Sequence, residues 1–315
     1  MTVVDWKPVA KGLATMVPGL YRLVARPRGG ATDSAAYCYS VWLKHMTLLW
    51  HNGLRQMPAT VAELGPGESL GIGLAALLSG VARFYALDVA AYSNAEKNLC
   101  VLDGLVSLFS NRARNPIEGW PDFSDHLDAG GFPSHILSDD VLARTLAPER
   151  LAAIREAITR PDRSSQVAIR YFVPWTSARA IERSSVDLIY SQSVLEHVAD
   201  LPKTLARCHD WLKAGGWMSH QIDFASHGIT SQWNGHWQYP EWLWRIVVGG
   251  RPYLINRHPA SAQVRMLESA GFEVGVQMRQ YCPDGMRKDQ LSDEWRSIPD
   301  ADLECCGMYV QARKR

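Results

Sequence analysis

The sequence predicts an α/β fold in which a mostly parallel sheet carries helices on both faces. Short apolar stretches alternate with helical ones from Val61 onward, and the apolar stretches are nearly continuous, as in strands buried on both faces. The last two strand candidates, 272–281 and 305–314, have no room between them for a long crossover helix. We therefore expect these two strands to pair antiparallel at the end of the chain.

The stretch from Val61 to Asp88 organises the rest of the prediction. A buried strand at 61–64 leads into a glycine turn, a helix of small residues and a second strand that ends at Asp88. Glycines allow the backbone to approach a ligand closely, and the following helix N-terminus is expected to offer unpaired N–H groups. An acid after the second strand suits ribose hydroxyls. The stretch predicts a site for a molecule that contains a nucleoside.

The composition of the chain limits the classes of partner that we expect. The 315 residues include 33 Lys and Arg against 32 Asp and Glu, so the net charge of +1 argues against nucleic acid as a partner. The six cysteines show neither a CxxC pair nor zinc-ligand spacing. No signal-peptide core and no apolar run of membrane-spanning length is found, so we expect a cytoplasmic protein without membrane insertion.

The first 57 residues are predicted as a helical segment that precedes the main domain at 58–315. Aromatic and apolar residues recur at helical spacing from Ala35 to Leu54, and Gly53 and Pro58 are suitable stop signals. This helix has two interpretations, a lid over the ligand mouth or core packing. The sequence leaves both open.

The region 110–165 interrupts the alternation of strands and helices. Its first half is rich in Pro, Gly and Asp, and its second half contains an amphipathic helix with Pro148 and Glu149 in the first turn. We interpret the region as an insertion that caps the substrate side.

Four motifs, taken together, resemble class I S-adenosylmethionine-dependent methyltransferases. They are ELGPG at 63–67, ALD at 86–88, VDLIYSQSVLEHVADL at 186–201 and LKAGGW at 212–217. The turn spacing G-P-G-E-S-L-G differs from the dinucleotide fingerprint G-x-G-x-x-G, and Glu63 would oppose a pyrophosphate. The resemblance implies a Rossmann-like, seven-stranded sheet, an enzyme, and S-adenosyl-L-methionine as its cofactor.

The resemblance also implies cofactor-binding positions. It places Glu63, Gly65 and Gly67 around the methionine moiety and Asp88 at the ribose hydroxyls. Ser191 and Gln192, at the end of the fourth strand, would face the cofactor. The family often carries an acid after the third strand that contacts adenine, whereas this chain has Pro174-Trp175 there. Trp175 either stacks on the adenine or is a structural indole.

Methyl transfer to a hydroxyl needs a general base, and the segment SHQIDFASHGI supplies the candidates. His227, in a loop beyond the fifth strand, is our first choice, followed by His220; Asp223 completes the predicted catalytic set. On a regular strand His220 and Asp223 point to opposite faces. His197 is expected to be a helix-terminal histidine bonded to the backbone. A metal site formed by His220, Asp223 and His227 is ranked below base catalysis, because the spacing matches no zinc signature.

An aromatic segment at 225–258 is the predicted acceptor loop. Apolar rings among amide and imidazole groups suit a sugar or a flat aromatic acceptor, and the predicted substrate-binding residues are Trp233, Asn234, His236 and Trp237. Trp242 and Trp244 are expected in the core. Asn256-Arg257 could bind a negative group or be structural.

We therefore predict a small-molecule methyltransferase. Its expected reaction is O-methylation of a sugar or glycan unit or of a natural-product hydroxyl, and a homodimer is consistent with the sequence. The alternatives are N-methylation of a small-molecule amine and a non-catalytic scaffold subunit that keeps the nucleoside pocket. An NAD-dependent oxidoreductase is disfavoured by the glycine spacing.

Overall fold

The computed structural model describes residues 5–17, 31–160, 167–175, 181–251 and 253–315. The chain divides into two compact units. The first unit comprises Met1–Arg28, Ser193–Ala206 and His220–Val310, and the second comprises Gly29–Gln192, Arg207–Ser219 and Gln311–Arg315. Across the described ranges, no helix has both the length and the apolar character that a bilayer crossing requires.

Seven strands form one sheet in the order β3-β2-β1-β4-β5-β7-β6. Their bounds are β1 Thr60–Leu64, β2 Arg83–Leu87, β3 Ala168–Phe172, β4 Val186–Gln192, β5 Leu212–Asp223, β6 Phe272–Tyr281 and β7 Cys305–Lys314. Strand β1 pairs in parallel with β2 and β4, and β2 pairs in parallel with β3. The antiparallel last strand completes a mixed sheet, which confirms the predicted fold class. Strand β5 begins within the predicted LKAGGW turn, where Gly215 has a φ of 73°.

Ten α-helices lie in the described part of the chain. They are α1 Lys7–Met16, α2 Ala35–His51, α3 Gly71–Leu78, α4 Ala95–Ser110, α5 Asp139–Thr145, α6 Pro148–Thr159, α7 Leu201–Trp211, α8 Glu241–Val248, α9 Ala260–Ser269 and α10 Asp300–Leu303. Helices α4 and α5 begin where side chains cap them, because the Asn94 and Ser138 side-chain oxygens accept hydrogen bonds from backbone N–H groups of the first turn. In the first unit α1 packs against α8, and α9 packs against β6.

Helix α2 is packed into the core of the second unit. Trp42 and Tyr39 are fully buried; the Trp42 indole N–H donates to Ser79 Oγ at 2.8 Å, and the Tyr39 ring meets Phe109 edge-on. The helix contacts α3 and α4. These contacts support the core-packing interpretation of its aromatic residues, and the lid role of segment 1–57 stays a prediction.

The region predicted as an insertion ends in a helix that packs on the sheet. Helix α6 begins at Pro148, as predicted, and contacts both β3 and α4. From its first turn, Arg150 donates to the backbone carbonyls of Leu77 and Val81 at 2.8 and 2.7 Å. Helix α6 therefore serves as the crossover that returns the chain to β3, and the cap function of 110–165 stays a prediction.

Candidate functional site

The glycine turn after β1 has the backbone conformation that the sequence predicted. Gly65 and Gly67 have φ values of 65° and 75°, a region that side-chain-bearing residues rarely adopt. The Gly65 N–H donates to the carbonyl of Leu87 at 2.8 Å, which fixes the turn to the end of β2. The two predicted cofactor glycines thus lie beside the position where β2 ends.

Asp88 is held directly against this turn. Its carboxylate accepts a hydrogen bond from the Gly67 N–H at 3.2 Å and another from the Val89 N–H at 2.7 Å. Burial raises the pKa of Asp88, and the backbone donors at Val89 and Gly67 oppose that rise. A carboxylate oxygen can accept two hydrogen bonds, so each Asp88 oxygen keeps acceptor capacity for a ribose hydroxyl.

Glu63 lies at the end of β1 and is buried. The Tyr190 hydroxyl donates to its carboxylate at 3.2 Å. Burial raises the pKa of Glu63 to about 8, although the Tyr190 hydrogen bond works against that rise, and the nearby Asp88 carboxylate adds to it. A ligand ammonium in contact with Glu63 would stabilise its ionised form and lower that pKa again.

The N-terminus of α3 differs from the expectation of unpaired N–H groups. The Ser69 N–H donates to Thr32 Oγ1 at 3.2 Å, the Leu70 N–H to Asn98 Oδ1 at 2.9 Å, and the Gly71 N–H to Ser69 Oγ at 3.0 Å. That expectation was wrong for these three donors, because Thr32 and Asn98, distant in sequence, satisfy two of them and Ser69 of the turn itself satisfies the third. Thr32 and Asn98 are not visible as partners in the local pattern around the turn.

Ser191 and Gln192 end β4, as the motif implied, and Gln192 has a partner that the sequence analysis missed. Lys44, on α2, donates from its ammonium to Gln192 Oε1 at 2.9 Å. Lys44 is buried, and burial lowers its pKa to about 7. A charged residue among the aromatic residues of α2 was the available signal for this contact.

Trp175 makes contacts that favour a structural indole over adenine stacking. Its backbone N–H donates to the carbonyl of Asp88 at 2.7 Å. Its ring meets Trp211 edge-on with centroids 6.4 Å apart, and the Arg207 guanidinium lies 5.7 Å from the ring centroid.

The predicted catalytic residues lie at the end of β5 and in the loop after it. Burial alternates there, because His220 and Ile222 are buried whereas Gln221 and Asp223 are half-buried. Burial lowers the pKa of His220 to about 3. Asp223 Oδ1 accepts a hydrogen bond from the Ala225 N–H at 2.8 Å.

His227 is the accessible histidine of this group, with one third of its side chain exposed (33%). Its backbone has a φ of 49°, unusual for a residue that is not glycine. The Nδ1 atom lies 3.9 Å from Asp223 Oδ2, and the Nε2 atom lies 4.0 Å from Glu196 Oε1. The imidazole therefore lies between two carboxylates.

Glu196 was missed by the sequence analysis, although it stands beside His197 in the LEHV segment. It is only 2% exposed, and neither carboxylate oxygen has a hydrogen-bond partner among the described residues. Burial raises its pKa well above the ordinary value; the backbone N–H groups of Glu196 itself and of Asp223 oppose that rise, and the Asp223 carboxylate adds to it.

His197 lies in a 3-10 turn, Leu195–His197, rather than at an α-helix terminus. Its ring centroid is 5.0 Å from that of His227. Burial is the main cause that lowers its pKa to about 4. Asn256 clamps the turn, since its side-chain amide donates to the carbonyls of Leu195 and Val198 at 2.7 and 2.9 Å.

Three of the predicted substrate residues are buried within the first unit. The Asn234 amide is bonded to backbone groups of Met286 and Leu303, and the Trp237 indole N–H donates to the carbonyl of Arg257 at 3.1 Å. His236 is also buried. These contacts favour core packing for Asn234 and Trp237, so their part in acceptor binding stays a prediction.

Trp233 differs from these three. It is half-buried, and its indole N–H is shielded from solvent without a hydrogen-bond partner among the described residues. Its carbonyl accepts from the Ser226 N–H at 2.7 Å. That bond closes a loop, residues 226–233, which carries both His227 and Trp233.

The structure also shows where Trp242, Trp244 and Arg257 of the aromatic segment lie. Trp244 is in the core, but the expectation for Trp242 was wrong, because this residue is 63% exposed on the outer face of α8. Arg257 is buried, pairs with Glu241, and donates to the carbonyl of Tyr239 at 2.6 Å, so it is structural.

Comparisons with known proteins agree with the fold and the motifs. A family model described as "Methyltransferase domain" matches residues 86–275, more than half of the chain. No curated protein matches the chain in sequence. A S-adenosylmethionine-dependent methyltransferase from Mesorhizobium loti aligns at 13% identity and a TM-score of 0.43, covering 90% of this chain and 100% of that chain.

Two other solved structures show a similar likeness. A SAM-dependent methyltransferase from Methanosarcina mazei aligns at 14% identity and a TM-score of 0.41, covering 84% of this chain and 96% of that chain. Phosphoethanolamine N-methyltransferase 2 from Haemonchus contortus, in complex with S-adenosyl-L-methionine, aligns at 13% identity and a TM-score of 0.42, covering 90% of this chain and 57% of that chain. At these scores the likenesses carry no argument about the acceptor.

Proposed function

Because the chain belongs to the methyltransferase domain family and takes S-adenosyl-L-methionine as its methyl donor, we propose that it methylates a hydroxyl group of a small molecule. A sugar or glycan unit is the first acceptor class, and a natural-product scaffold is the second. The free thiols of all six cysteines are consistent with a reaction in the cytoplasm.

The cofactor is held by the turn and strand ends of the second unit in this proposal. Glu63, Gly65 and Gly67 bind the methionine moiety, and Asp88 binds the ribose hydroxyls. Ser191 and Gln192 face the cofactor from the end of β4. The hydrogen bond between the Gly67 N–H and Asp88 supports this assignment, since it holds the two motifs at one location.

Methyl transfer asks little covalent chemistry of the protein. The sulfonium is already activated, so the enzyme must hold the acceptor oxygen in line with the S–CH3 bond. Orientation of this kind contributes roughly 7–11 kcal/mol to lowering a barrier. A hydroxyl must also lose its proton, and assistance with that step typically contributes about 10²–10⁴-fold in rate.

One observation carries the choice of a hydroxyl acceptor, namely the position of His227 between two carboxylates. Its ring is accessible. The distance from Nδ1 to the Asp223 carboxylate is 3.9 Å, and the distance from Nε2 to the Glu196 carboxylate is 4.0 Å. Such a group suits an acceptor that must be deprotonated, whereas a neutral amine attacks without that help. We assign activation of the hydroxyl to His227, with Asp223 orienting it, and His220 is the second candidate for this role.

Trp233 is the acceptor-contacting residue that the contacts support best. Its indole offers an apolar face, and its shielded N–H lacks a partner in the described residues. A sugar ring or a flat aromatic scaffold would use both features. Asn234, His236 and Trp237 are assigned to the supporting layer of the same acceptor loop.

The test is an assay of methyl transfer from S-adenosylmethionine to matched panels of hydroxyl and amine acceptors. We expect His227→Gln to lower kcat by about 10²–10⁴-fold and to leave the affinity for the cofactor unchanged, as measured by calorimetry. His209→Gln, on α7, is the matched control and should retain full activity.

Each alternative has its own outcome in this assay. Transfer to amines alone would establish N-methylation and overturn the hydroxyl proposal. Cofactor binding without transfer to any small molecule of a cell extract would establish a non-catalytic scaffold.

A further inference from the structure

We infer that Glu196, His197 and His227 form a binding site for one divalent transition-metal cation. Each residue offers one ligand atom, and these atoms lie within 4.8 Å of one another. All three belong to the first unit, in the turn after β4 and the loop after β5. The role of the cation in the reaction rests on the proposed function, whereas the binding of the cation does not depend on it.

Glu196 is the first independent observation in favour of a cation. Its carboxylate is buried, and neither oxygen has a hydrogen-bond partner among the described residues. A buried carboxylate without partners is costly, and buried acids are usually paired or coordinated to a metal. The ionisable groups around it are His227, at 4.0 Å, His197 of the same cluster, and Asp223, whose carboxylate has the same charge sign and whose backbone N–H lies nearby.

The two nitrogens of His227 face different groups, as in a metal-bound histidine. Nε2 is directed toward Glu196 and Nδ1 toward Asp223, at 4.0 and 3.9 Å. Histidines that bind metals commonly donate their other ring N–H to a carboxylate, which fixes the tautomer and the ring orientation. Asp223 is placed for that second role, so the cation would lie on the Nε2 side, next to Glu196.

His197 repeats this arrangement with a backbone partner. Its Nδ1 atom is buried and has no partner in the described residues, whereas the backbone carbonyl of Tyr253 accepts a hydrogen bond from the ring. One nitrogen is therefore engaged and the other is available. The ring lies 5.0 Å from that of His227, centroid to centroid.

Both ligand-bearing segments are fixed by hydrogen bonds from elsewhere in the first unit. Asn256 clamps the turn that carries Glu196 and His197 through its side-chain amide, and its N–H donates to the Glu196 carbonyl at 2.7 Å. The Ser226 N–H closes the loop that carries His227. Ligands held in this way lose little freedom when they bind a cation.

The ligand set indicates the class of cation. Two imidazoles and one carboxylate with an open position are typical of catalytic Zn²⁺ and of related first-row metals, whereas Mg²⁺ prefers oxygen ligands. Tetrahedral Zn²⁺ with bonds of about 2.0–2.2 Å needs ligand atoms roughly 3.4 Å apart. Since the ligand atoms lie within 4.8 Å of one another, they would have to approach by up to about 1.4 Å to reach this spacing.

At the open position the cation would bind the acceptor hydroxyl and lower its pKa, as zinc does for water. The hydroxyl proton leaves to solvent. The oxygen then forms a bond to the methyl carbon as the bond from that carbon to the sulfonium breaks, and the electron pair stays on sulfur as a neutral thioether. His227 activates the hydroxyl as a ligand in this scheme, and Asp223 is its positioning residue.

The experiment measures Zn²⁺ and Mg²⁺ binding to the full chain by equilibrium dialysis, without cofactor or acceptor. We expect one Zn²⁺ per chain and no Mg²⁺ bound at the same concentration. Glu196→Gln and His227→Ala should each weaken Zn²⁺ binding at least tenfold. Glu268→Gln and His209→Gln, which alter residues outside the cluster, should bind as the parent does.

Thermal unfolding provides a second readout, since a cation that binds only the folded chain raises Tm. Zn²⁺ should raise Tm of the parent and of both controls but not of Glu196→Gln, a variant of nearly identical shape that should fold. Absence of Zn²⁺ binding by the parent, or binding that neither cluster variant weakens, would overturn the site.

The two proposals fail separately. A chain that binds no Zn²⁺ and methylates hydroxyls in the presence of a chelator would refute the metal site and leave the proposed function intact. A chain that binds Zn²⁺ through Glu196 but methylates only amines would leave the metal site intact and refute the proposed function.

Discussion

Two buried ionisable residues of the second unit, Glu63 and Lys44, show how burial prepares a site for a charged ligand. Burial raises the pKa of Glu63 to about 8 and lowers that of Lys44 to about 7, so the neutral form of each side chain is more populated near neutral pH. A cofactor that carries both an ammonium and a carboxylate can restore the charged forms. We therefore expect both groups to change protonation when the cofactor binds.

Glu63 should make stability depend on pH. Its pKa is raised in the folded state, so the stabilisation from its protonated form is complete below the unfolded value of 4.5 and is lost as pH rises toward about 8. We expect the free energy of unfolding, measured by urea titration, to fall over this range by on the order of a few kcal/mol. Glu63→Gln, which keeps an acceptor for the Tyr190 hydroxyl, should remove that fall.

Lys44 changes stability in the opposite direction over a higher range, because its depressed pKa makes stability rise with pH above about 7. The difference between the parent and Glu63→Gln cancels this contribution. An identical pH dependence in the two proteins would show that Glu63 ionises normally.

At the scale of elements, the packing of α3 explains why this helix, which follows the glycine turn, contains glycines. A Cβ added at Gly73 would lie 2.1 Å from ring atoms of Phe84 on β2, and one added at Gly71 would lie 2.4 Å from Cys38 Sγ on α2. The helix is therefore packed against a strand on one side and a helix on another at distances that only glycine permits.

Gly73→Ala should destabilise the chain by about 1–3 kcal/mol, because Phe84 is fully buried and has little space into which to move. Urea denaturation measures the loss. Gly275→Ala is the matched control, since a Cβ at that position of β6 would have no neighbour within 4 Å. Equal stability of the two variants would contradict the close packing of α3 on β2.

At the scale of the whole molecule, cofactor binding is coupled to folding through contacts between distant segments. The predicted cofactor residues lie between Glu63 and Gln192 in sequence, and the hydrogen bond between the Gly67 N–H and Asp88 joins segments 21 residues apart. A ligand that binds such a set binds the folded state and not the unfolded chain.

S-adenosylmethionine at 100 times its Kd should therefore stabilise the chain by about 2.7 kcal/mol, measured as a rise in Tm. Asp88→Ala should lose most of the affinity for the cofactor while remaining folded, so its Tm should rise little at the same concentration. His209→Gln should respond as the parent does. Unchanged affinity of the Asp88 variant, measured by calorimetry, would refute the ribose assignment.

Much of the fold and of the cofactor site was predictable from the sequence, because the signals are local. The glycine turn with its positive φ values, the acid after β2 and the apolar strands follow from backbone sterics and burial over a few residues. Helix α6 was found in the same way from its period and its proline. The N-terminal donors of α3 were not, because Thr32 and Asn98 reach them from other elements.

The sequence by itself determined the class of fold, the methyl donor and the segments that carry the candidate chemistry. Only the tertiary structure decided which side chains in those segments meet. It placed Glu196 and His197 beside His227, although about thirty residues lie between the two segments. It also buried Asn234 and Arg257, whose side chains bond to backbone carbonyls. The physical reason is that local sequence governs backbone conformation, whereas burial and side-chain partnership depend on residues that folding brings together from a distance.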